Sequence, residues 1–333
     1  MMTWSLRILV FFVVLATLSV QQTPVHAQDW SSVRAKVQGA VIFVEVVREK
    51  RDGSNRQVLA GTGFVFDERG YAITAAHVVP RVADDERLSV KVAPRSRYAP
   101  KTEAQVVLRV DDLDLALLQF PDIGKKWPRA SFGASSKVPT DARLYVLGFP
   151  GSSDLASAEG LLSSYYGPGG KWQTTLPLDY GHSGGPVFDI SGRVIGIAAG
   201  GFDQAKARTF VVPSDYSKML RNLVADLSPI EKGKKPTTLV AFAHTSFGNE
   251  SELVARTVCL SKAVASVVPE VISTNGAESD FVSTAIDPSN PKCFDYKVRV
   301  DAGKTDSVGP IIVGYEEPSW IAGKFKIEYK EKK

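Results

Sequence analysis

From Val41 onward the chain is written in short apolar runs broken by turn residues. Val41-Ile42-Phe43-Val44-Glu45-Val46-Val47 is rich in β-branched residues and predicts a strand. The polar stretch Arg48 to Gln57, with Asp52-Gly53 inside it, predicts a hairpin turn. Gly61 to Phe66 resumes a strand, Asp67 to Gly70 turns it, and Tyr71 to Thr74 begins another. Leu88 to Val92, Ala104 to Val110 and Leu115 to Phe120 continue the pattern. After a Pro-containing crossing from Pro121 to Pro139, a second set follows: Leu144 to Leu147, Gly160 to Tyr166, Trp172 to Leu176, Pro186 to Asp189 and Val194 to Ile197. Ser191-Gly192 is the turn between the last two. Many short strands at even spacing predict a barrel or sandwich, and the span 28–228 has room for two barrels of about six strands each.

Beyond Ser214 the period changes. Met219, Leu220, Leu223 and Val224 lie at helical spacing and predict a helix. Glu231 to Pro236 is a linker of Lys, Gly and Pro. Alternation then returns over Thr238 to Ala243, Val254 to Leu260, Phe294 to Val300, Pro310 to Tyr315 and Lys324 to Tyr329. The expected class is therefore all-β. The expected domains are a two-barrel unit over 28–228, a linker over 229–236, and a small antiparallel β-sandwich over 237–333, for which the immunoglobulin fold is one form.

The first residues read differently. Arg7 precedes an apolar run from Ile8 to Val20, and Val25-His26-Ala27 forms a small-x-small site. This is the three-part pattern of a signal peptide over 1–27. The run of about 13 residues falls short of the ~20 that span a bilayer. An uncleaved anchor is the alternative. The expectation is an exported chain, periplasmic or secreted in a bacterium, with no stable membrane span once the leader is removed.

Composition adds little beyond this. The 333 residues are 44% hydrophobic and 23% charged, ordinary for a globular protein. A net charge of +4 from scattered Lys and Arg gives no reason to expect a nucleic-acid partner. Export does change the reading of the two cysteines, Cys259 and Cys293. In an oxidising compartment they predict a disulfide, closing a loop worth ~3–4 kcal/mol by the chain-entropy estimate. Two buried free thiols are the alternative.

The most informative stretch is Gly181-His182-Ser183-Gly184-Gly185-Pro186. Glycines around a serine predict a tight turn in which backbone can approach a substrate carbonyl closely. Upstream stand Thr74-Ala75-Ala76-His77 and Asp112-Leu113-Asp114-Leu115-Ala116-Leu117. Serine alone is a poor nucleophile and needs a base, and the base needs an orienting partner. In this order, with intervals of 37 and 69 residues, the three motifs resemble the trypsin-like (chymotrypsin-fold) serine proteases, and most closely their bacterial HtrA/Do-like branch. The resemblance covers about residues 40–225. It implies two antiparallel β-barrels, peptide-bond hydrolysis through an acyl-enzyme, no metal or cofactor, and protein or peptide substrates.

By that resemblance Ser183 is the nucleophile, His77 the base, Asp114 its orienter, and the backbone N–H groups of Gly181 and Ser183 the oxyanion hole. Asp111 and Asp112 crowd Asp114, but the Asp-Leu-Ala match favours Asp114. The implied pocket has Leu178, Ala198 and Ala199 in its walls and Tyr180 at its rim, suited to small or medium apolar side chains. Position 182 departs from the pattern. Related bacterial proteases carry Asn there, so His182 is read as a support of the turn, as a pH-sensitive support, or as the mark of a distorted hole. The branch also usually continues into a PDZ domain, whose glycine-rich carboxylate-binding loop we do not find here. That departure keeps a second class open, a catalytically silent binding or sensing protein on the protease scaffold. The C-terminal domain is expected to bind a protein or cell-envelope ligand. His244 has no metal-like partner spacing, and Trp30, Trp127, Trp172 and Trp320 are read as packing or surface aromatics.

Overall fold

The computed structural model describes residues 30–83, 85–121, 126–203, 208–224, 240–247, 251–260, 262–274, 281–301, 304–305 and 316–330. The expected leader over 1–27, the linker over 229–236 and the expected strand Pro310 to Tyr315 lie outside them.

A short helix α1 (Ser31–Val37) opens the described chain. Twelve strands then form two closed six-stranded antiparallel barrels. The first holds β1 (Val41–Lys50), β2 (Gln57–Asp67), β3 (Tyr71–Ala75), β4 (Glu86–Pro94), β5 (Thr102–Val110) and β6 (Leu115–Gln119), in the order β1-β2-β3-β6-β5-β4. The second holds β7 (Arg143–Gly148), β8 (Ala156–Ser164), β9 (Trp172–Thr174), β10 (Pro186–Phe188), β11 (Val194–Asp203) and β12 (Arg208–Pro213), in the order β10-β11-β12-β9-β8-β7. The all-β expectation and the two-barrel architecture are borne out.

Side-chain alternation explains why these strands read as nearly continuous apolar runs. In β1, Ile42, Val44 and Val46 fill the first barrel with Val65, Ala72, Val92 and Leu118. Its other face sends Val41 and Phe43 into a core lying between the barrels. β6 divides likewise: Ala116 and Leu118 point into the barrel, Leu115 and Leu117 into the shared core. The second barrel has its own interior of Leu144, Val146, Leu162, Trp172, Val187, Ile195 and Val211. Each fully buried Val or Leu contributes about 1.5–3 kcal/mol of transfer free energy. The shared core is thus a strong reason for the barrels to dock.

Several bounds differ from expectation. The first hairpin turn is shorter than Arg48 to Gln57, since β1 runs to Lys50 and β2 begins at Gln57. The helix after Ser214 starts as a 3₁₀ turn (Ser214–Ser217) and becomes α2 (Lys218–Val224), with Met219, Leu220, Leu223 and Val224 all buried as its spacing predicts.

The C-terminal strands are β13 (Val240–Ser246), β14 (Glu252–Cys259), β15 (Val264–Thr274), β16 (Phe281–Ile286), β17 (Cys293–Val300), β18 (Lys304–Thr305), β19 (Glu316–Glu317) and β20 (Ser319–Tyr329). They form two three-stranded sheets, β13-β20-β15 and β14-β17-β16, and a short β18-β19 pair. Phe242, Val254, Phe294, Tyr296, Val298, Ile321 and Phe325 share one core, as in a sandwich. Register places Cys259 directly opposite Cys293, and the two form the expected disulfide. One face of this unit joins the core between the barrels: Ala243, Trp320 and Ala322 pack into the same cluster as Val110, Leu108 and α2.

Candidate active site

Two strands bring His77 and Asp114 together. β3 and β6 pair antiparallel, and their register ends with Ala75 opposite Leu115. The next residues out are Ala76 and Asp114, joined by a hydrogen bond from the Ala76 N–H to the Asp114 carbonyl at 3.0 Å. His77 follows on a single 3₁₀ turn (Ala76–Val78) that lifts its ring from the barrel rim. Its Nδ1 lies 2.9 and 3.0 Å from the two carboxylate oxygens of Asp114, and its backbone N–H donates to Asp114 Oδ1 at 3.1 Å. A carboxylate on Nδ1 places the proton there and leaves Nε2 as the basic nitrogen. Asp114 adopts φ +56°, closing the turn from β5 in which its N–H donates to the Asp111 carbonyl at 3.0 Å. Asp111 itself points away and pairs with Arg81 at 2.6 Å and Arg109 at 2.7 Å. Asp112 is exposed. Of the three neighbouring carboxylates, Asp114 is the one on the imidazole.

Ser183 stands on the second barrel, in the turn that leads into β10. Gly181 (φ +96°) and Gly184 (φ +82°) take the left-handed conformations that favour glycine. Side chains have no room at either position. A Cβ at 181 would come within 2.2 Å of the Phe149 carbonyl oxygen, and one at 184 within 2.3 Å of Thr62 O and Thr74 Oγ1. The His182 and Gly184 N–H groups are used internally, donating to the Asp179 and Ala198 carbonyls. Among the described residues, the Gly181 and Ser183 N–H groups have no acceptor, so two donors flank the hydroxyl.

Thr62, on β2 of the first barrel, ties the two halves together. It is fully buried. Its N–H donates to the Ser183 carbonyl at 2.9 Å, and its hydroxyl donates to the Gly181 carbonyl at 2.6 Å. The same hydroxyl accepts from the Phe149 N–H at 3.0 Å, and the Thr62 carbonyl accepts from Thr74 Oγ1 at 2.7 Å. Thr74 is three residues before His77. The serine turn is thereby clamped against the strand that carries the histidine. Among the described residues no hydrogen bond joins the Ser183 hydroxyl to the His77 ring; such contacts are often long in unliganded sites and tighten with substrate.

His182 is buried beneath the turn. Its Nδ1 accepts from the Asp179 N–H at 3.0 Å, so the neutral ring carries its proton on Nε2, which is buried without a partner. Burial pushes its pKa below 6.5, with Asp179 acting weakly the other way. Leu178 is half-buried, Ala198 and Ala199 are buried, with Ala198 hydrogen-bonded to Gly184 and Gly185, and Tyr180 is exposed at 82%. His244 is distant from these groups in sequence and meets Tyr296, Nε2 to OH at 2.7 Å.

A histidine on a carboxylate, a serine between two free amide donors, and two barrels supplying them are the parts of one peptidase architecture. Residues 61–197 match the family described as the trypsin-like peptidase domain. Over that segment the chain is similar to trypsin-like peptidases. The chain is similar to Serine protease HTRA1B of Danio rerio, 29% identical over 219 residues, covering 62% of this chain and 43% of the relative. It is also similar to the Probable periplasmic serine endoprotease DegP-like of Brucella suis biovar 1 (strain 1330), 28% identical over 192 residues, 55% of this chain and 36% of the relative. A relative of the same description from Pseudomonas fluorescens is 28% identical over 187 residues. The chain spans less than half the length of these curated relatives. Neither Thr62's hydroxyl network nor Lys171 is marked by a recognisable local motif. Both were missed from sequence, because their partners lie 119 and 57 residues away.

Proposed function

We propose that this chain is a serine endopeptidase that hydrolyses peptide bonds through an acyl-enzyme. The observation that carries this is the His77–Asp114 pair beside a serine turn with two unused amide donors. Ser183 Oγ attacks the scissile carbonyl carbon while His77 Nε2 takes its proton. The Gly181 and Ser183 N–H groups receive the oxyanion, an interaction worth about 3–4 kcal/mol per donor in comparable sites. His77 then passes the proton to the leaving amine, and Asp114 stabilises the ring while it is charged. Water repeats the cycle and frees the acid product.

The apolar wall of Leu178, Ala198 and Ala199 supports cleavage after small or medium apolar residues. The leader pattern over 1–27 and the periplasmic DegP-like relatives support export. No helix among the described residues is long and apolar enough to cross a membrane. A protein or envelope ligand for the C-terminal sandwich belongs to the same proposal.

Intact mass after fluorophosphonate treatment tests the reading. One adduct is expected on the wild type and none on Ser183→Ala. No adduct between pH 5 and 9 would favour the silent, binding-protein reading instead.

A further inference from the structure

Lys171 is a half-buried lysine whose ammonium faces the relay. Its Nζ lies 3.7 Å from Asp114 Oδ2, and the two side chains are only 15% and 14% exposed. The remaining charges around this pair are already matched: Arg81 and Arg109 share Asp111, while Asp112 is exposed. On the side of the C-terminal sheets, Arg81 and Arg256 both act electrostatically on His244. Among the described residues, Lys171 is thus the cation that meets Asp114 from the second barrel.

The loop that carries it is held from two sides. Gly169 and Gly170 both have positive φ. A Cβ on Gly169 would sit 3.9 Å from the Asp112 carbonyl, and one on Gly170 would sit 2.8 Å from Tyr216 Oη and 3.1 Å from the Phe247 ring. Tyr216 and Phe247 themselves meet edge to face at 5.9 Å. The loop therefore lies between the Asp114 turn and an aromatic seat, half of which comes from the end of β13.

We propose that Lys171 is a positioning residue for Asp114, held in place by the Tyr216–Phe247 seat, and that it tempers how strongly Asp114 stabilises the charged form of His77. The inference rests on the reading of His77 as the base. A cation beside the carboxylate offsets part of its field at the imidazole. Removing that cation leaves the protonated ring better stabilised, so His77 stays charged to higher pH and acts as a base over a narrower range. The direction follows from Coulomb's law alone.

The test compares wild type, Lys171→Met, Lys171→Gln and Lys171→Arg by ¹⁵N imidazole NMR titration, with His77→Ala assigning the signal. Fluorophosphonate labelling rate against pH is measured beside it. In both neutral variants the ring titration and the acid limb of labelling are expected to move up together, with labelling at neutral pH slowed severalfold; Lys171→Arg restores both. The Gln variant carries the comparison if Met does not fold. A ring titration that coincides with wild type in a folded neutral variant overturns the proposal, even where the thermal midpoint falls, since a merely structural lysine would do that. A wild type that takes no label defeats the hydrolase reading instead, and the ring titration still decides the role of Lys171.

Discussion

Thr62→Val removes one hydroxyl and keeps the shape of the side chain, so it isolates what that hydroxyl holds. Two buried groups lose their partner: the Gly181 carbonyl, which accepts at 2.6 Å, and the Phe149 N–H, which donates at 3.0 Å. Thr62 is fully buried, so water does not replace the lost bonds. An unsatisfied buried group costs about 1–3 kcal/mol, and two of them with some relaxation should cost about 2–4 kcal/mol. Urea unfolding should show this as a lower midpoint with an unchanged slope. The chemical effect is separate. The Gly181 carbonyl is fixed by that hydroxyl, and rotation of this part of the turn disturbs the donors beside Ser183. Labelling by a fluorophosphonate should slow about tenfold or more, given that losing one such donor costs about 10²–10³ elsewhere. Thr62→Ser should recover most of both losses. A valine variant within about 0.5 kcal/mol of wild type and labelled within a factor of two would refute the role given to this hydroxyl.

Asp114→Asn should preserve the fold and lower kcat/KM by about 10³–10⁴, through loss of the carboxylate that sets the His77 tautomer; near-wild-type turnover would remove Asp114 from the relay. Gly181→Ala forces a Cβ to within 2.2 Å of a carbonyl oxygen at φ +96°, so both labelling and thermal midpoint should fall, and an unchanged labelling rate would contradict the turn geometry. Burial and the nearby Arg256 and Arg81 hold His244 at a pKa of about 4, below its ordinary 6.5. The unfolded chain then takes up its proton first. Stability present above about pH 6.5 is lost as the pH falls through about 4, an effect of about 3 kcal/mol. His244→Gln should flatten the fall in urea midpoint between pH 7.5 and 4.5, and an equal fall would show that other groups cause it. Reduction of the Cys259–Cys293 bridge should lower the stability of the C-terminal sheets by ~3–4 kcal/mol, read by hydrogen exchange on β14 and β17; unaltered protection would show that the strands hold without it.

The motifs that carry the site were legible because each is a local word: the turn after β3, the turn before β6 and the glycine turn before β10. Strand ends were less so. The tip of β1 is polar, yet its ladder continues because Arg48 pairs with Glu86 at 2.7 Å across to β4, an interaction invisible along one strand. β15 was not among the expected strands, and it contains Pro269, a residue disfavoured inside a sheet. The structure resolves that conflict by placing β15 at the edge of its sheet, where one side of the strand has no ladder to break. Helix α1 is only seven residues, and its buried Val33 and Val37 give a single repeat of the helical period. Thr62 and Lys171 lay beyond reach for another reason. Their importance comes from closure of one barrel on the other, and no neighbour in sequence signals it.

That closure has a consequence for the life of the chain before it is fully folded. His77 and Asp114 belong to one barrel and Ser183 to the other, and Thr62 clasps them only when the two meet. On the proposed triad, either barrel alone would have no means of cutting a peptide bond. A nascent or partly opened chain would then be harmless to itself and to its neighbours, and the ability to cut would arrive together with the compact state that resists being cut.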